Sequence, residues 1–335
     1  MKNPLLSICI PVYNRNQHLN NCLNSIRISC LNSSLDFEVC ISDNFSEEDP
    51  IDIIENYKKY FKIKYNRNSF NKGLGVNILK SVSLAEGKFV WIIGSDDLIL
   101  PNTFKSLNFY LNKKDIHFYY INSYHLDAKF LDKQKKPLNT HNIPKDLKKF
   151  SNYSQDKQCK FYELISPSIS FDFMLGMFLS IFRREIWNEN LKYINQKDLC
   201  NLNIYSTFDN TAPHVKVFSY GFLNKNAYFV SDCLSVNLSG VREWADLYPF
   251  VESFRIPDVL KYYRKNGLSL MRYFFCMNFA NRKFLINLFK IFFLKKYKGK
   301  NYLNFLSDIL PKFFYPYVYI AFLYYSLRKI FKLVL

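Results

Sequence analysis

No stretch of this chain reaches the ~18 uncharged apolar residues expected of a membrane-spanning helix. The nearest, residues 313–327, is interrupted by Pro316. The opening MKNPLLSICIP has too short an apolar run before Pro11 to read as a signal peptide. Cysteine stands at positions 9, 22, 30, 40, 159, 200, 233 and 276, yet no pair forms C-x-x-C and none has zinc-finger spacing with a histidine, which argues against a structural zinc module. Cys9 and Cys40 fall inside apolar, strand-like runs, where cysteine acts as a small hydrophobe. Reduced thiols in a cytosolic compartment are therefore expected. No internal repeat is visible, which argues against a solenoid. Acidic residues nearly vanish from one end: residues 255–335 hold 16 Lys or Arg against 2 acids, which is +14 of the formal +18. A basic, aromatic tail points to an anionic partner such as membrane headgroups, nucleic acid or a phosphorylated lipid. A drift towards Lys, Asn, Phe, Tyr and Ile over the whole chain would give the same counts.

What is present is a large apolar content, 49% of 335 residues, with 33 Phe and 25 Tyr. That is enough for one large domain or two ordinary ones. Residues 88–101, KFVWIIGSDDLILP, organise the rest. Phe89 to Ile93 are bulky or β-branched and read as a strand buried on both faces. The strand runs into Gly94-Ser95-Asp96-Asp97. Two adjacent carboxylates there repel each other and are costly to desolvate. They become favourable when a divalent cation sits between them and an anion, and Mg²⁺ and Mn²⁺ prefer such oxygen ligands. A simple polar turn after a strand would use the same residues.

The preceding chain alternates strands and helices. Residues 5–10 form a strand broken by Pro11-Val12-Tyr13-Asn14-Arg15, and residues 18–28 are helical. Residues 37–41 form a second strand ending in Ser42-Asp43-Asn44. Asp49-Pro50 opens a helix, with proline tolerated at its first position. Residues 61–65 form a third strand, 68–75 a Gly/Asn loop and 78–84 a helix. This order predicts an α/β fold with a parallel, doubly wound sheet. Ligands of such sheets bind beyond the carboxyl ends of the strands, where Tyr13-Asn14-Arg15, Asp43-Asn44 and Asp96-Asp97 converge. Further on, residues 104–111 read as a helix and 117–122 as a strand. Residues 127–160, rich in Lys, Asn and Asp, read as an exposed, partly mobile insertion. Residues 228–236 form a last strand, and the pattern from Asp258 onward is helical.

Residues 5–15 (LLSICIPVYNR), 37–46 (FEVCISDNFS), 71–77 (NKGLGVN) and 85–101 (AEGKFVWIIGSDDLILP) together resemble the successive blocks of family 2 glycosyltransferases. The W-x-x-G-x-D-D form is most similar to the abequosyltransferase-like branch, which acts on bacterial O-antigen. The resemblance implies a GT-A fold, that is, a Rossmann-like, mostly parallel sheet with helices on both faces. It also implies a nucleotide-diphospho-sugar donor, Mn²⁺ or Mg²⁺, and inversion at the anomeric carbon. Carried over by position, Pro11, Tyr13, Asn14 and Arg15 match the nucleotide-contacting block, although Arg15 could be a solvated loop cation. Asp43, with Asn44 beside it, matches the acid that holds the base or ribose, and could instead close an Asx-turn. Asn71, Gly73 and Asn77 match the loop near the donor. Ser95 and Asp96 match the donor side of the metal block, with Asp96 the principal metal ligand and Asp97 a second ligand or a sugar-hydroxyl acceptor. There are two departures. Ile78 and Leu79 stand where the family often has an Arg, and Gly94 replaces the first Asp of D-x-D-D. The family takes its general base from a later acid near a helix start. Asp209 fits that place, with His214 nearby, and could equally be a helix N-cap. Asp172, Glu185 and Asp198 are rivals.

These expectations divide the chain into a catalytic domain, 1–250, and a helical, membrane-associating region, 251–335. The acceptor implied is a saccharide linked to polyprenyl diphosphate, and the location the cytoplasm, peripheral on the inner face of the cytoplasmic membrane. Phe284, Leu285, Leu288, Phe289, Phe292 and Phe293, with Lys290, Lys295, Lys296, Lys298 and Lys300, suit an anionic bilayer surface. Packing of these helices on the rest of the chain or on a second subunit is the competing account. The missing acid at Gly94 leaves open a membrane-docked scaffold without catalysis. No nucleic-acid partner is expected, because the positive charge lies among apolar runs instead of in a polar basic arm.

Overall fold

The computed structural model describes residues 3–31, 33–241 and 244–334. The side chains of Arg328, Lys329 and Lys332, which close the basic tail, lie outside the described residues. Two compact units form: Met1–Leu164 with Gly176–Val241, and Ile165–Leu175 with Arg242–Leu335. Compactness thus divides the chain at Val241, and gives the short segment Ile165–Leu175 to the C-terminal helices.

In the first unit, β1 (Leu6–Val12) is buried at every position, as its unbroken apolar run requires. It lies between β2 (Phe37–Asp43) and β4 (Phe89–Ile92), parallel to both, and β2 is parallel to β3 (Ile63–Arg67). Helices α1 (Asn16–Cys30), α2 (Ile51–Lys58) and α3 (Leu74–Ser83) connect them. The expected break at Pro11 does not occur: β1 runs on to Val12, whose carbonyl accepts from the Asn44 N–H (2.9 Å) and the Asn77 amide (3.1 Å). Register sets Val12 opposite Asp43 and Asp43 opposite Arg67. Three strands therefore end level, and their loops share one edge.

Beyond β4 the sheet is mixed. Its order is β3-β2-β1-β4-β8-β6-β9-β5, with β7 on β9, where β5 is Leu98–Ile99, β6 Phe118–Asp127, β7 Lys157–Lys160, β8 Ser180–Arg183 and β9 Asn226–Ser239. β8 is antiparallel to β4 and β6, while β9 is parallel to β6 and antiparallel to β5 and β7. Helix α4 (Thr103–Leu111) follows β5.

Residues 127–160 are not the loose insertion their composition suggests. Leu131 and Leu138 are buried with Leu98, Leu126, Val236 and Leu238. Asn21 Oδ1 accepts the Leu138 N–H and Asn24 Nδ2 donates to the Leu138 carbonyl, both at 2.8 Å. Asp156 accepts from the Tyr110 hydroxyl (2.7 Å) and the Ser231 N–H (2.9 Å). A few well-placed anchors hold a polar segment that has no apolar period to announce it.

The second unit is helical: Ile256–Lys265, Leu270–Ala280, Phe284–Phe293 and Pro316–Val334. Val259, Leu260, Tyr263, Cys276, Met277 and Phe284 are buried there. Glu252, also buried, accepts from the Lys283 ammonium at 2.6 Å and the Asn287 amide at 2.8 Å. The Tyr263 hydroxyl donates to the Phe173 carbonyl at 3.2 Å, tying in Ile165–Leu175. Among the described residues, no helix is long and apolar enough to cross a membrane.

Candidate active site

The two adjacent acids have different surroundings. Asp97 is buried, and its carboxylate accepts the Gly94 N–H and the Asn237 amide, each at 2.7 Å. It closes the turn after β4 and ties that turn to β9. Asp96 is 13% exposed and pairs with Arg15 at 3.3 Å. Arg15 also donates to the Val241 carbonyl at 3.0 Å, so it is a fixed cation and not a solvated one. A Cβ at Gly94 would come 2.6 Å from Asp96 Oδ1. The Asp96 carboxylate therefore fills the space where the first acid of a D-x-D-D block would begin. Ser95 is buried between them.

The loops after β1 and β2 are cross-linked. Asn14 has φ 51°, a conformation asparagine tolerates. Its N–H donates to Ser46 Oγ and its Oδ1 accepts the Glu47 N–H, both at 2.8 Å. Tyr13 is half-buried beside it, and Pro11 is buried in β1. Asp43 is fully buried and accepts the Ser46 N–H at 3.2 Å and the Ser46 hydroxyl, three residues on, so it closes the loop after β2 without the two-residue spacing of an Asx-turn. Arg67 approaches Asp43 at 3.6 Å. Asn44 Nδ2 donates to Asn71 Oδ1 (2.7 Å), while Asn44 Oδ1 accepts from Asn68 Nδ2 and the Lys72 N–H, both at 3.0 Å. Asn77 Oδ1 accepts from Ser42 Oγ at 2.7 Å. Gly73 has φ 88°, which other side chains rarely adopt.

The segment around Asp209 is seated on the start of α3. The Gly75 N–H donates to the Asn210 carbonyl at 2.8 Å, and a Cβ at Gly75 would lie 2.3 Å from the Asp209 carbonyl oxygen. Only glycine permits that approach. Asp209 is not a helix N-cap: the helix His214–Gly221 is capped by Pro213. Its buried carboxylate takes the Lys216 ammonium on Oδ2, and Oδ1 has no hydrogen-bond partner among the described residues. His214 is buried with its ring against Phe218, 5.4 Å between centroids. Of the rivals, Asp172 bonds to Ser170 Oγ at 2.7 Å within the second unit, Glu185 faces solvent, and Asp198 accepts from Asn195 at 2.9 Å.

Residues 7–184 match the family described as glycosyl transferase family 2. The chain belongs to this family. A stretch of 112 residues, 33% of this chain, is 43% identical to abequosyltransferase RfbV of Salmonella typhimurium and covers 33% of that protein. A stretch of 101 residues, 30% of this chain, is 34% identical to chondroitin synthase of Escherichia coli and covers 14% of it. Each match thus spans a third or less of the relative's length. Among solved structures, Staphylococcus aureus TarS 1–349 in complex with UDP aligns with a TM-score of 0.57 at 17% identity, over 84% of this chain and 72% of that one. A mannosyltransferase from Pyrobaculum calidifontis in complex with GDP-Man and Mn²⁺ aligns at 0.51 and 12%, over 86% and 72%. These likenesses carry the fold, which is the GT-A fold the sequence blocks imply.

Within this family 2 chain, three residues near the strand ends escape a reading by motif. Arg67 is level with Asp43 only through strand register. His18 stands one helical turn after Arg15, a spacing that was available as a signal. Burial lowers its imidazole below the ordinary value; Asp96 opposes the shift, and Arg15 and Lys136 add to it. Lys136 belongs to the segment that Asn21 and Asn24 hold against α1 through Leu138. The cation shown against Asp96 is Arg15, at the residue before α1.

Among the described residues, no cluster of three or more His, Cys, Asp or Glu is placed to hold a metal. Asp97 already serves two donors, so the protein offers chiefly the Asp96 carboxylate. That set suits a hard cation which keeps water and takes its other ligands from a bound diphosphate. It does not suit zinc.

Proposed function

We propose that this protein is an inverting glycosyltransferase of surface-polysaccharide synthesis, moving a sugar from a nucleotide-diphospho-sugar to a saccharide hydroxyl. The observation that carries the reading is the set of level strand ends, where Arg15 and Asp96 face each other beside buried Asp43 and Asn44. Similar proteins agree: one is an abequosyltransferase, and solved neighbours hold UDP, UDP-GlcNAc or GDP-Man with Mn²⁺. Transfer breaks a sugar–phosphate bond, and negative charge grows on the departing diphosphate. Arg15 supplies positive charge on the Asp96 side. Asp96 would hold Mn²⁺ or Mg²⁺, which as a Lewis acid adds to that stabilisation. The acceptor hydroxyl must lose its proton. Asp209 is the base in this reading: Lys216 holds Oδ2, and Oδ1 is left to take the proton.

The acceptor is a saccharide carried on polyprenyl diphosphate, met at an anionic membrane surface on the cytoplasmic side. The exposed side chains of Met271, Phe275, Phe293 and Phe314 support that placement, since aromatics and lysines together favour a headgroup region. Transfer assays with a panel of nucleotide-sugars, with and without Mn²⁺, test the reading. Turnover that disappears in Asp96→Ala and in chelator is expected. Undiminished turnover in both would remove Asp96 and the metal from the mechanism. Absence of transfer or donor hydrolysis with every nucleotide-sugar would favour the scaffold alternative.

A further inference from the structure

Phe45 follows Asp43 and Asn44 at the end of β2 and adopts φ 69°. For a bulky aromatic residue that conformation is a true outlier; glycine or asparagine would adopt it without strain. Such strain persists only where the surroundings over-determine it, and it gathers at functional sites. Here both neighbours are clamped. Asn44 bonds through its backbone to Val12 and through its side chain to Asn68, Asn71 and Lys72, while Ser46 bonds to Asp43 and Asn14. The ring is nevertheless not used for packing, because Phe45 is 48% exposed. The Arg67 guanidinium lies 5.4 Å from the ring centroid. Arg67 is itself fixed, by Asp49 at 2.6 Å and the Ser46 carbonyl at 2.7 Å. The result is a rigid aromatic ring backed by a cation, standing out from the sheet edge next to the Asn14 loop.

We propose that Phe45 is a stacking platform for the nucleobase of the donor. This rests on the glycosyltransferase reading above. The chemistry favours a flat π system: an aromatic ring with a guanidinium against it presents a large apolar face at little conformational cost, and base–aromatic stacking is strong and tolerant of base identity. The position favours the base over the sugar. Asp96 and Arg15, where the diphosphate is placed, follow β4 and β1, whereas Phe45 follows β2, towards the outer strand β3.

The strained backbone gives the test a sign that a structural role would not. UDP, CDP, GDP and dTDP are titrated against the full chain, and the tightest is carried forward. In Phe45→Gly, affinity for that nucleotide should fall about tenfold, while the melting temperature stays level or rises because the left-handed residue is relieved. In Phe45→Trp, that nucleotide should quench fluorescence beyond the wild-type change, and inorganic diphosphate should not. Equal affinity in Phe45→Gly and wild type would overturn the proposal, as would a Phe45→Trp signal that does not distinguish the nucleotide from inorganic diphosphate. A wild-type chain that binds none of the four nucleotides would overturn the glycosyltransferase reading itself.

Discussion

At and beside the ends of β1, β2 and β4, polar side chains are buried and hydrogen-bonded: Asp43, Asn44, Asn77 and Asp97 are all at most 3% exposed. In the C-terminal unit the large apolar side chains are the exposed ones, with Met271 at 85%, Phe275 at 65%, Phe293 at 73% and Phe314 at 80%. A buried polar group must find partners, so the first region is held by geometry. An exposed aromatic cluster of this extent is unusual for a monomer in water and marks a surface that meets something else. One region holds fixed polar groups, and the other presents apolar area. Buried Glu252 and Asn287 of the second unit, with the half-buried Lys283 ammonium on Glu252, show that it too has an interior with paired polar groups. Its exposed aromatics are therefore not the sign of a unit without a core.

The largest test of this contrast is in the first region. Asp209→Asn should lower kcat by roughly 10²–10⁴ and leave nucleotide-sugar affinity unchanged, measured by transfer rates and equilibrium titration. A large loss of affinity would make Asp209 a structural partner of Lys216 and not the base. Next, Asp97→Ala should cost about 2–3 kcal/mol of stability, since a charged acceptor with two partners is lost, whereas Asp96→Ala should leave the urea midpoint nearly unmoved. If both midpoints fall alike, the two acids do not have the separate roles their surroundings imply. In the second region, Phe275→Ser with Phe314→Ser should weaken binding to phosphatidylglycerol vesicles about tenfold or more without unfolding the chain, read by sedimentation and circular dichroism. Unchanged vesicle binding would mean that another surface or another partner covers these rings.

The smallest effect concerns Lys312, whose Nζ is buried and bonded to Asn281 Oδ1 at 3.0 Å. Burial pushes its ammonium down to about 7; Asp258 and Asp308 resist the shift, and Lys261 adds to it. The unfolded chain keeps this lysine protonated up to about pH 10.4. Between pH 7 and 10 the folded chain therefore binds fewer protons, and the lysine's cost to stability declines as pH rises. Lys312→Met should stabilise by on the order of 1 kcal/mol near pH 7, with the gain shrinking towards pH 10 in urea melts. A gain independent of pH would show that the lysine is not held in its neutral form.

Much of the first region was legible because its signals are local. Continuous apolar runs marked β1, β2 and β4, and the polar residues after them marked the strand ends. Asp209 was picked out by its position before a helix, but its N-cap alternative could be dismissed only from the structure, where Pro213 takes that place. Residues 127–160 misled because Leu131 and Leu138 are isolated among polar neighbours; no period announces two anchors. Arg67 joins the strand ends through register, a relation with no fixed spacing along the chain.

The sequence alone determined the alternation of strands and helices in the first half, the edge at which the polar loops gather and the family, because these follow from side-chain periodicity and short contiguous blocks. Only the tertiary structure decided which partners Asp96 and Asp97 have. Adjacent in sequence and identical in chemistry, they differ because Asn237, 140 positions away from Asp97, reaches that carboxylate, and Arg15 reaches the other. What a carboxylate does depends on which donors surround it, and those donors are brought together by the sheet.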